Sequence, residues 1–321
     1  MLRPDSSSPG TILEQIGRTP LVRLQHLDQG LARPVWVKCE YLNPGGSIKD
    51  RIALAIVERA ELEGRVGPGS TFIEATAGNT GLGLALVAAA KGYRVVCVLP
   101  EKMSLDKRNC LRLAGVDVII VPNAPLESSD NFRNVARQLA EKNNWILADQ
   151  FFNEANIEAH YSGTGPDIWE QSQGFVSAFV CGVGTGGTMT GVSRYLAEKD
   201  SSIQRVLADP AGSALVDWVR HGEFRSEAPY KIEGIGSSSP PHNFQMEWVT
   251  SVEVIDDETS FNCQNQLIRQ EGLFVGGSSG TIVAAALRVA SLPSPSGKDG
   301  AVVCVLTDSW DRYWSVLQSN G

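Results

Sequence analysis

Four strand-like apolar runs in this chain end in glycine-rich turns that open helices, and this junction limits the fold more than anything else in the sequence. The turns lie at residues 43–47, 76–81, 184–188 and 276–280. Around them, strand patterns at 35–40, 71–75, 94–100, 116–121, 145–149, 177–183, 203–208 and 301–306 alternate with helical patterns beginning near 47, 82, 104, 131, 188 and 280. Such alternation predicts parallel sheets with helices on both faces. A length of 321 residues accommodates two such units. The expected fold class is therefore α/β, with two three-layer αβα units and mainly parallel sheets.

The first turn carries the least ordinary residue choice. Residues 43–51 read Asn-Pro-Gly-Gly-Ser-Ile-Lys-Asp-Arg, with Ser47 a natural N-cap. Lys49 then falls in the first helical turn, where the macrodipole is positive and an ammonium is disfavoured. That placement predicts a lowered lysine pKa, which favours nucleophilic chemistry. The plainer reading is a solvated lysine at a helix start.

Ligands of open α/β sheets bind beyond the carboxyl ends of strands, which is where all four glycine turns lie. Gly184-Thr-Gly-Gly-Thr188 has the composition of a phosphate cradle. Glycines let amides converge, threonines add hydroxyls, and the helix start supplies positive potential. It lacks the Gly-Lys-Ser/Thr ending of a nucleotide-triphosphate loop. A dinucleotide site built on Gly182, Gly184, Gly187 and Asp209 is the rival, and it leaves Lys49 and the other glycine turns without a role.

Composition removes other classes. A net charge of −8 argues against nucleic-acid or anionic-membrane binding, and no apolar run is long enough for a membrane helix. The six cysteines form no Cys-x-x-Cys pair. Cys97, Cys181 and Cys304 sit in strand patterns and are expected to be buried thiols, in a reducing cytoplasm and with no metal site. The first ten residues predict a loose tail rather than a signal peptide.

Together these segments resemble the fold-type-II pyridoxal-phosphate enzymes, specifically the cysteine synthase and cystathionine β-synthase family. The matching stretches run from Ile-Gly-Arg-Thr-Pro at 16–20 to the last strand. They include the lysine turn at 43–51, Gly-Asn-Thr-Gly at 78–81, Gly-Thr-Gly-Gly-Thr at 184–188 and Gly-Gly-Ser-Ser-Gly at 276–280. The resemblance implies a tryptophan-synthase-β-like fold, pyridoxal 5'-phosphate as cofactor, amino-acid substrates and a homodimer. It also implies a larger cofactor-anchoring domain (10–43 plus 152–321) and a smaller, mobile substrate-loop domain (44–151).

By the same resemblance, Lys49 would hold the cofactor covalently and then take the substrate's α-proton. Gly184, Thr185, Gly186, Gly187 and Thr188 would bind the cofactor phosphate, Asn79 its ring hydroxyl, and Ser278 its pyridine nitrogen. A serine there makes a weaker electron sink than a carboxylate would, which suits elimination of a β-leaving group. The substrate set would be Thr76, Ala77, Gly78, Asn79, Thr80, Gln150 and Gly234, with Thr76, Asn79, Thr80 and Gln150 gripping the carboxylate. Read without the family, Asn79 is a turn residue and Ser278 a helix cap.

The sequence departs from the family at Ala77, where many members carry serine, and at Ser237–Ser239, where cystathionine synthases often carry Tyr-Asp. Residues 100–104, 209–213 and 233–236 are more similar to cystathionine β-synthases than to plain cysteine synthases. No regulatory module is nevertheless expected after the core and no haem-ligand segment before it. The expected reaction is β-replacement on L-serine or an O-activated serine (O-acetylserine or O-phosphoserine), with homocysteine or sulfide giving cystathionine or cysteine. The alternatives are a serine/threonine dehydratase, disfavoured by the Ser-Ile-Lys-Asp-Arg context, and a non-catalytic partner-binding protein of the same fold.

Overall fold

A computed structural model describes residues 10–224, 228–239 and 241–313; the tail of residues 1–9 lies outside the described residues. Strands β1 (Leu21–Arg23) and β2 (Val35–Cys39) precede α1 (Lys49–Leu62), β3 (Thr71–Glu74) and α2 (Asn79–Lys91). Then come β4 (Arg94–Pro100), α3 (Leu105–Leu113), β5 (Asp117–Val121), α4 (Phe132–Asn143) and β6 (Ile146–Leu147). Helix α5 (Ala155–Ala159), a π-helical turn (His160–Thr164) and α6 (Gly165–Gln171) lead to β7 (Val176–Cys181), α7 (Gly187–Lys199), β8 (Gln204–Pro210) and α8 (Leu215–His221). The remaining elements are β9 (Ser251–Ile255), α9 (Asp257–Gln270), α10 (Gly277–Ala290) and β10 (Ala301–Leu306).

The chain divides into two units, one of the described residues up to Thr19 with Leu42–Gln150, the other of Pro20–Tyr41 with those from Phe151 onward. Residues 10–19 group with the first unit rather than with 152–321. Two bonds explain it: Gly17 N donates to Asn43 Oδ1 (2.8 Å), and Arg51 Nη2 donates to Gly17 O (2.9 Å).

The first unit holds a parallel sheet in the order β5-β4-β3-β6. Strand residues alternate between its faces. Ile73, Val96, Val98 and Val121 pack with Ala136 and Ala140 of α4. On the other face, a Cβ at Gly81 of α2 would sit 2.8 Å from both Cys97 Sγ and Leu111 of α3, so small residues let α2 lie close to the sheet.

The second unit holds a six-stranded sheet, β1-β2-β10-β7-β8-β9, parallel except for β1. One face, including Val37, Ala178, Val206 and Cys304, packs on Cys263 and Leu267 of α9 and on the alanine-rich α10. At Gly280 a Cβ would strike the Ser260 carbonyl, which is how closely α10 approaches α9. Cys97, Cys181 and Cys304 are buried as expected, as are Cys39 and Cys263, while Cys110 is exposed.

The differences from the sequence reading have local causes. The strand expected at 145–149 keeps only two residues, because Asp149 turns the chain with φ 50°. Helix α2 starts at Asn79, not at 82, which places Asn79 and Thr80 in its first turn. Strands β1 and β9 and helices α5, α6, α8 and α9 have no counterpart in the sequence reading.

Candidate active site

In the first unit, β3, β4 and β5 step outward in one direction and β6 returns to the other side of β3. The strand order therefore reverses between β3 and β6, the place where an open α/β sheet leaves a crevice beyond its carboxyl ends. The loop at 75–78 leaves β3 there and enters α2, and Gln150 follows β6.

The side chains at this crevice are joined. Thr80 Oγ1 donates to Gln150 Oε1 (2.5 Å), while Gln150 N and Nε2 donate to Glu74 Oε2 and Oε1 (3.1 and 3.4 Å). Ala75 N also donates to Glu74 Oε1 (3.0 Å). Glu74, Thr80 and Gln150 are all buried. Burial pushes the Glu74 carboxyl up to about 7, with Asp149 adding to the rise and the bonds from Gln150 and Ala75 opposing it. Thr76, Ala77, Gly78 and Asn79 are half-buried, and Thr76 Oγ1 accepts from Gly78 N (3.1 Å), which leaves its own proton to donate. A carboxylate fits this set, with the Thr76 hydroxyl able to donate and the positive end of α2 beside it, while the Thr80 proton is engaged with Gln150 Oε1.

Lys49 opens α1 on the same unit and is half-buried. The N-cap of α1 is Ile48 rather than Ser47, and it has no side-chain cap, although Ser47 Oγ accepts from Lys49 N at 3.2 Å. A Cβ at Gly83 of α2 would lie 3.0 Å from Lys49 O and 3.2 Å from the Ala53 Cβ, so that glycine lets the first turn of α1 rest on α2. The motif's other polar residues are structural ties. Asn43 and Arg51 hold Gly17, and Asp50 Oδ2 accepts from Gly45 N (2.5 Å).

The second unit repeats the topology. Strands β7, β8 and β9 step one way and β10 lies on the other side of β7. The loop at 184–188 leaves β7 and enters α7. Gly186 has φ +96°, and a Cβ there would lie 2.5 Å from Phe244 N. A Cβ at Gly184 would fall on the Gly234 carbonyl, and Gly236 N donates to Val183 O (2.8 Å), so the 234–236 turn lies directly against the loop. The nearby Ser237 is tied to the turn after β8, its N donating to Ser213 Oγ (3.1 Å).

At the neighbouring strand's end, Ser278 in the first turn of α10 is buried and its hydroxyl shares a 2.8 Å hydrogen bond with Thr307 Oγ1, just past β10. Ser279 Oγ accepts from Thr307 N (3.1 Å). Glycine amides, two threonine hydroxyls and the positive end of a 13-residue helix form a donor set that fits a phosphate monoester.

The dinucleotide reading loses its acid. Asp209 is fully buried, with Oδ2 accepting from Val216 N (3.1 Å), and burial pushes its carboxyl up to about 7. A ribose-binding carboxylate needs an exposed, ionised side chain.

Sequence reasoning missed Glu74, Asn156, His160 and Thr307. Asn156 Nδ2 donates to Thr185 Oγ1 (2.9 Å), and His160 Nε2 lies 3.1 Å from Thr188 Oγ1. Only Glu74, an acid ending an apolar strand, left a local signal.

Comparison with known proteins gives the family. Residues 12–308 match the family model described as pyridoxal-phosphate dependent enzyme. A cysteine synthase of Staphylococcus aureus is 38% identical over 305 residues, 95% of each chain. The cystathionine beta-synthase of Saccharomyces cerevisiae is 39% identical over 318 residues, 96% of this chain and 62% of the yeast protein. Among solved structures, an O-ureido-L-serine synthase superposes with a TM-score of 0.89 at 35% identity, covering 98% of this chain and 96% of that one. The chain belongs to the pyridoxal-phosphate-dependent enzyme family and is an enzyme of the cysteine synthase and cystathionine β-synthase type.

Proposed function

We propose that this enzyme performs β-replacement on L-serine or an O-activated serine, O-acetylserine or O-phosphoserine, with a thiol as nucleophile. Homocysteine would give cystathionine and sulfide would give cysteine. The observation that carries the reading is the buried Thr80–Gln150–Glu74 chain at the carboxyl end of β3. It holds a glutamine amide and a threonine at a helix start, an arrangement suited to an amino acid's carboxylate rather than to a neutral ligand.

Bound pyridoxal 5'-phosphate supplies an electron sink for the substrate's α-carbon. Lys49 would hold it covalently and, once released, would take the α-proton. After the β-leaving group has departed and the nucleophile has added at the β-carbon, the same amine would return the proton to the α-carbon. Thr76, Asn79 and Gln150 would hold the carboxylate, with Thr80, its hydroxyl given to Gln150, contributing through its backbone N–H, and the Ala77 and Gly78 backbone completing that loop. Asn79 would also bond the cofactor's ring hydroxyl. Residues 184–188 would hold the phosphate. Ser278, its hydroxyl shared with Thr307, would present a neutral group to the ring nitrogen, which would keep the electron sink shallow and favour rapid loss of the β-leaving group. Gly234, packed against Gly184, borders the substrate. Ala77 brings one hydroxyl fewer than many relatives, a difference that bears on which amino acid is accepted. The reading extends to a cytoplasmic homodimer, testable by sedimentation and cell fractionation.

The test is a grid: serine, O-acetylserine and O-phosphoserine, each with sulfide, homocysteine and hydroxyurea, the last because its oxygen would give O-ureido-L-serine. Product with a thiol supports the proposal. Pyruvate and ammonia from serine alone would make the enzyme a dehydratase, and product with hydroxyurea only would replace the nucleophile proposed here.

A further inference from the structure

The hydroxyls of the 184–188 loop are backed by one segment whose residues no part of the proposed chemistry uses. Asn156 in α5 and His160 in the π-helical turn are four residues apart, and both are buried, at 1% exposure. Asn156 Nδ2 donates to Thr185 Oγ1 (2.9 Å). His160 lies between two hydroxyls, with Nδ1 2.9 Å from Thr164 Oγ1 and Nε2 3.1 Å from Thr188 Oγ1. The turn is a single π turn closed by Gly165 N donating to His160 O, a feature that recurs at functional sites.

Close helix packing makes this reach possible. Gly191 lies one turn after Thr188 on α7, and a Cβ there would sit 2.5 Å from Ile157 O and 2.9 Å from the His160 Cβ. Only glycine lets α7 lie against the 157–161 backbone, and this brings the His160 ring alongside Thr188.

Each hydroxyl has one proton to give, and a neutral imidazole has one N–H and one bare nitrogen. If Thr188 donates to an anion at the start of α7, its oxygen is free to accept from His160 Nε2–H. Nδ1 is then bare and accepts from Thr164 O–H. In the opposite tautomer, Thr188 spends its proton on the ring and turns lone pairs toward the anion. Asn156 sets Thr185 in the same sense, since an amide NH2 can only donate.

We propose that Asn156 and His160 are positioning residues that preset the Thr185 and Thr188 hydroxyls as outward donors to a phosphate monoester, with Thr164 selecting the His160 tautomer. The inference rests on residues 184–188 being the cofactor's phosphate loop. The full-length protein, freed of cofactor, is titrated with pyridoxal 5'-phosphate and with pyridoxal, which lacks the phosphate. His160→Phe should lower affinity for the phosphorylated ligand about tenfold and leave pyridoxal within about twofold, as expected for one lost hydrogen bond to a charged group. Thr164→Val should move in the same direction, and Thr164→Ser should restore the parent ratio. Phosphorus NMR of each holoenzyme should show a shifted phosphate resonance in the first two variants only. Should His160→Phe fail to fold, Thr164→Val decides alone. Variants that keep the parent's preference, or lose both ligands equally, overturn the proposal. A parent protein with no preference for the phosphorylated ligand overturns the loop assignment, and the inference with it.

Discussion

The two sheets use the same topological device for opposite kinds of chemistry. Each reverses its strand order once, between β3 and β6 in the first unit and between β7 and β10 in the second, and each places its candidate residues at that reversal. At the first, buried side chains bond one another: Glu74, Gln150 and Thr80 fix a glutamine amide. At the second, glycines bring the backbone itself forward, and Asn156 and His160 bond the Thr185 and Thr188 hydroxyls from behind. Small donors on a rigid helix start suit a compact dianion, whereas a side-chain network can be altered residue by residue, as at Ala77. The comparison teaches that topology supplies the crevice and the local residues decide the ligand.

The largest expected break lies on the backbone side. Gly186→Leu demands φ +96° of a branched side chain and drives it into the Phe244 backbone. It should cost about 4 kcal/mol of stability by strain and overpacking and remove cofactor binding together with it. Urea unfolding and cofactor titration check both. Unchanged stability would mean that the loop is not held as described.

A second comparison sets two buried carboxyls side by side, Glu74 ending β3 and Asp209 near the end of β8. Burial raises Glu74 from 4.5, and Asp209 from 3.8, up to about 7 in each case. Between the unfolded and folded values the native state holds the extra proton, so stability falls as pH rises through that window. Each group accounts for about 3 kcal/mol between pH 4 and 7, to order of magnitude. Glu74→Gln and Asp209→Asn should each flatten one share of that slope in urea midpoints measured at several pH values. In addition, Glu74→Gln should raise KM for the amino acid several-fold at little cost in kcat, while Asp209→Asn leaves KM alone. Equal effects on KM would erase the distinction between the two carboxyls.

The smallest effect concerns Ser278. A carboxylate at that position favours a protonated ring nitrogen, so Ser278→Asp should slow β-replacement by one to two decades, about 1–3 kcal/mol. Ser278→Ala, losing only the bond shared with Thr307, should cost less. Stopped-flow rates with each activated serine compare them, and a full rate in the aspartate variant would remove Ser278 from the ring nitrogen.

How much of this was legible in the sequence follows from the range of each interaction. The four glycine turns and most strands declared themselves locally, and β4 and β10 match their expected bounds. Strand β1, with three residues, is too short to show a pattern. Helix α9 had a readable cap, Asp256 accepting from Thr259 N, but its polar face hid the apolar stripe. The glycines at 78 and 81 suggested a loop, whereas Gly78 ends the loop and Gly81 lies inside α2 for close packing. Glu74 ended an apolar strand, but its role, like those of Asn156 and His160, was beyond reach because their partners lie 76, 29 and 28 residues away, and only the folded topology joins them. Lys49 stood out because a lysine at a helix start is a poor structural choice, and the structure accounts for its polar neighbours without it.

That lysine also provides the most direct test. Borohydride reduction of the yellow holoenzyme, followed by peptide mass mapping, locates the residue that carries the cofactor. The predicted result is a pyridoxyl label on Lys49, with Lys49→Ala losing label and turnover while its thermal unfolding stays close to the parent's. Lys38, fully buried and donating to Gln171 Oε1 (3.2 Å), and Lys91, paired with Glu61 (2.7 Å), serve the fold instead. A label on either of those, or none on Lys49, would contradict the account.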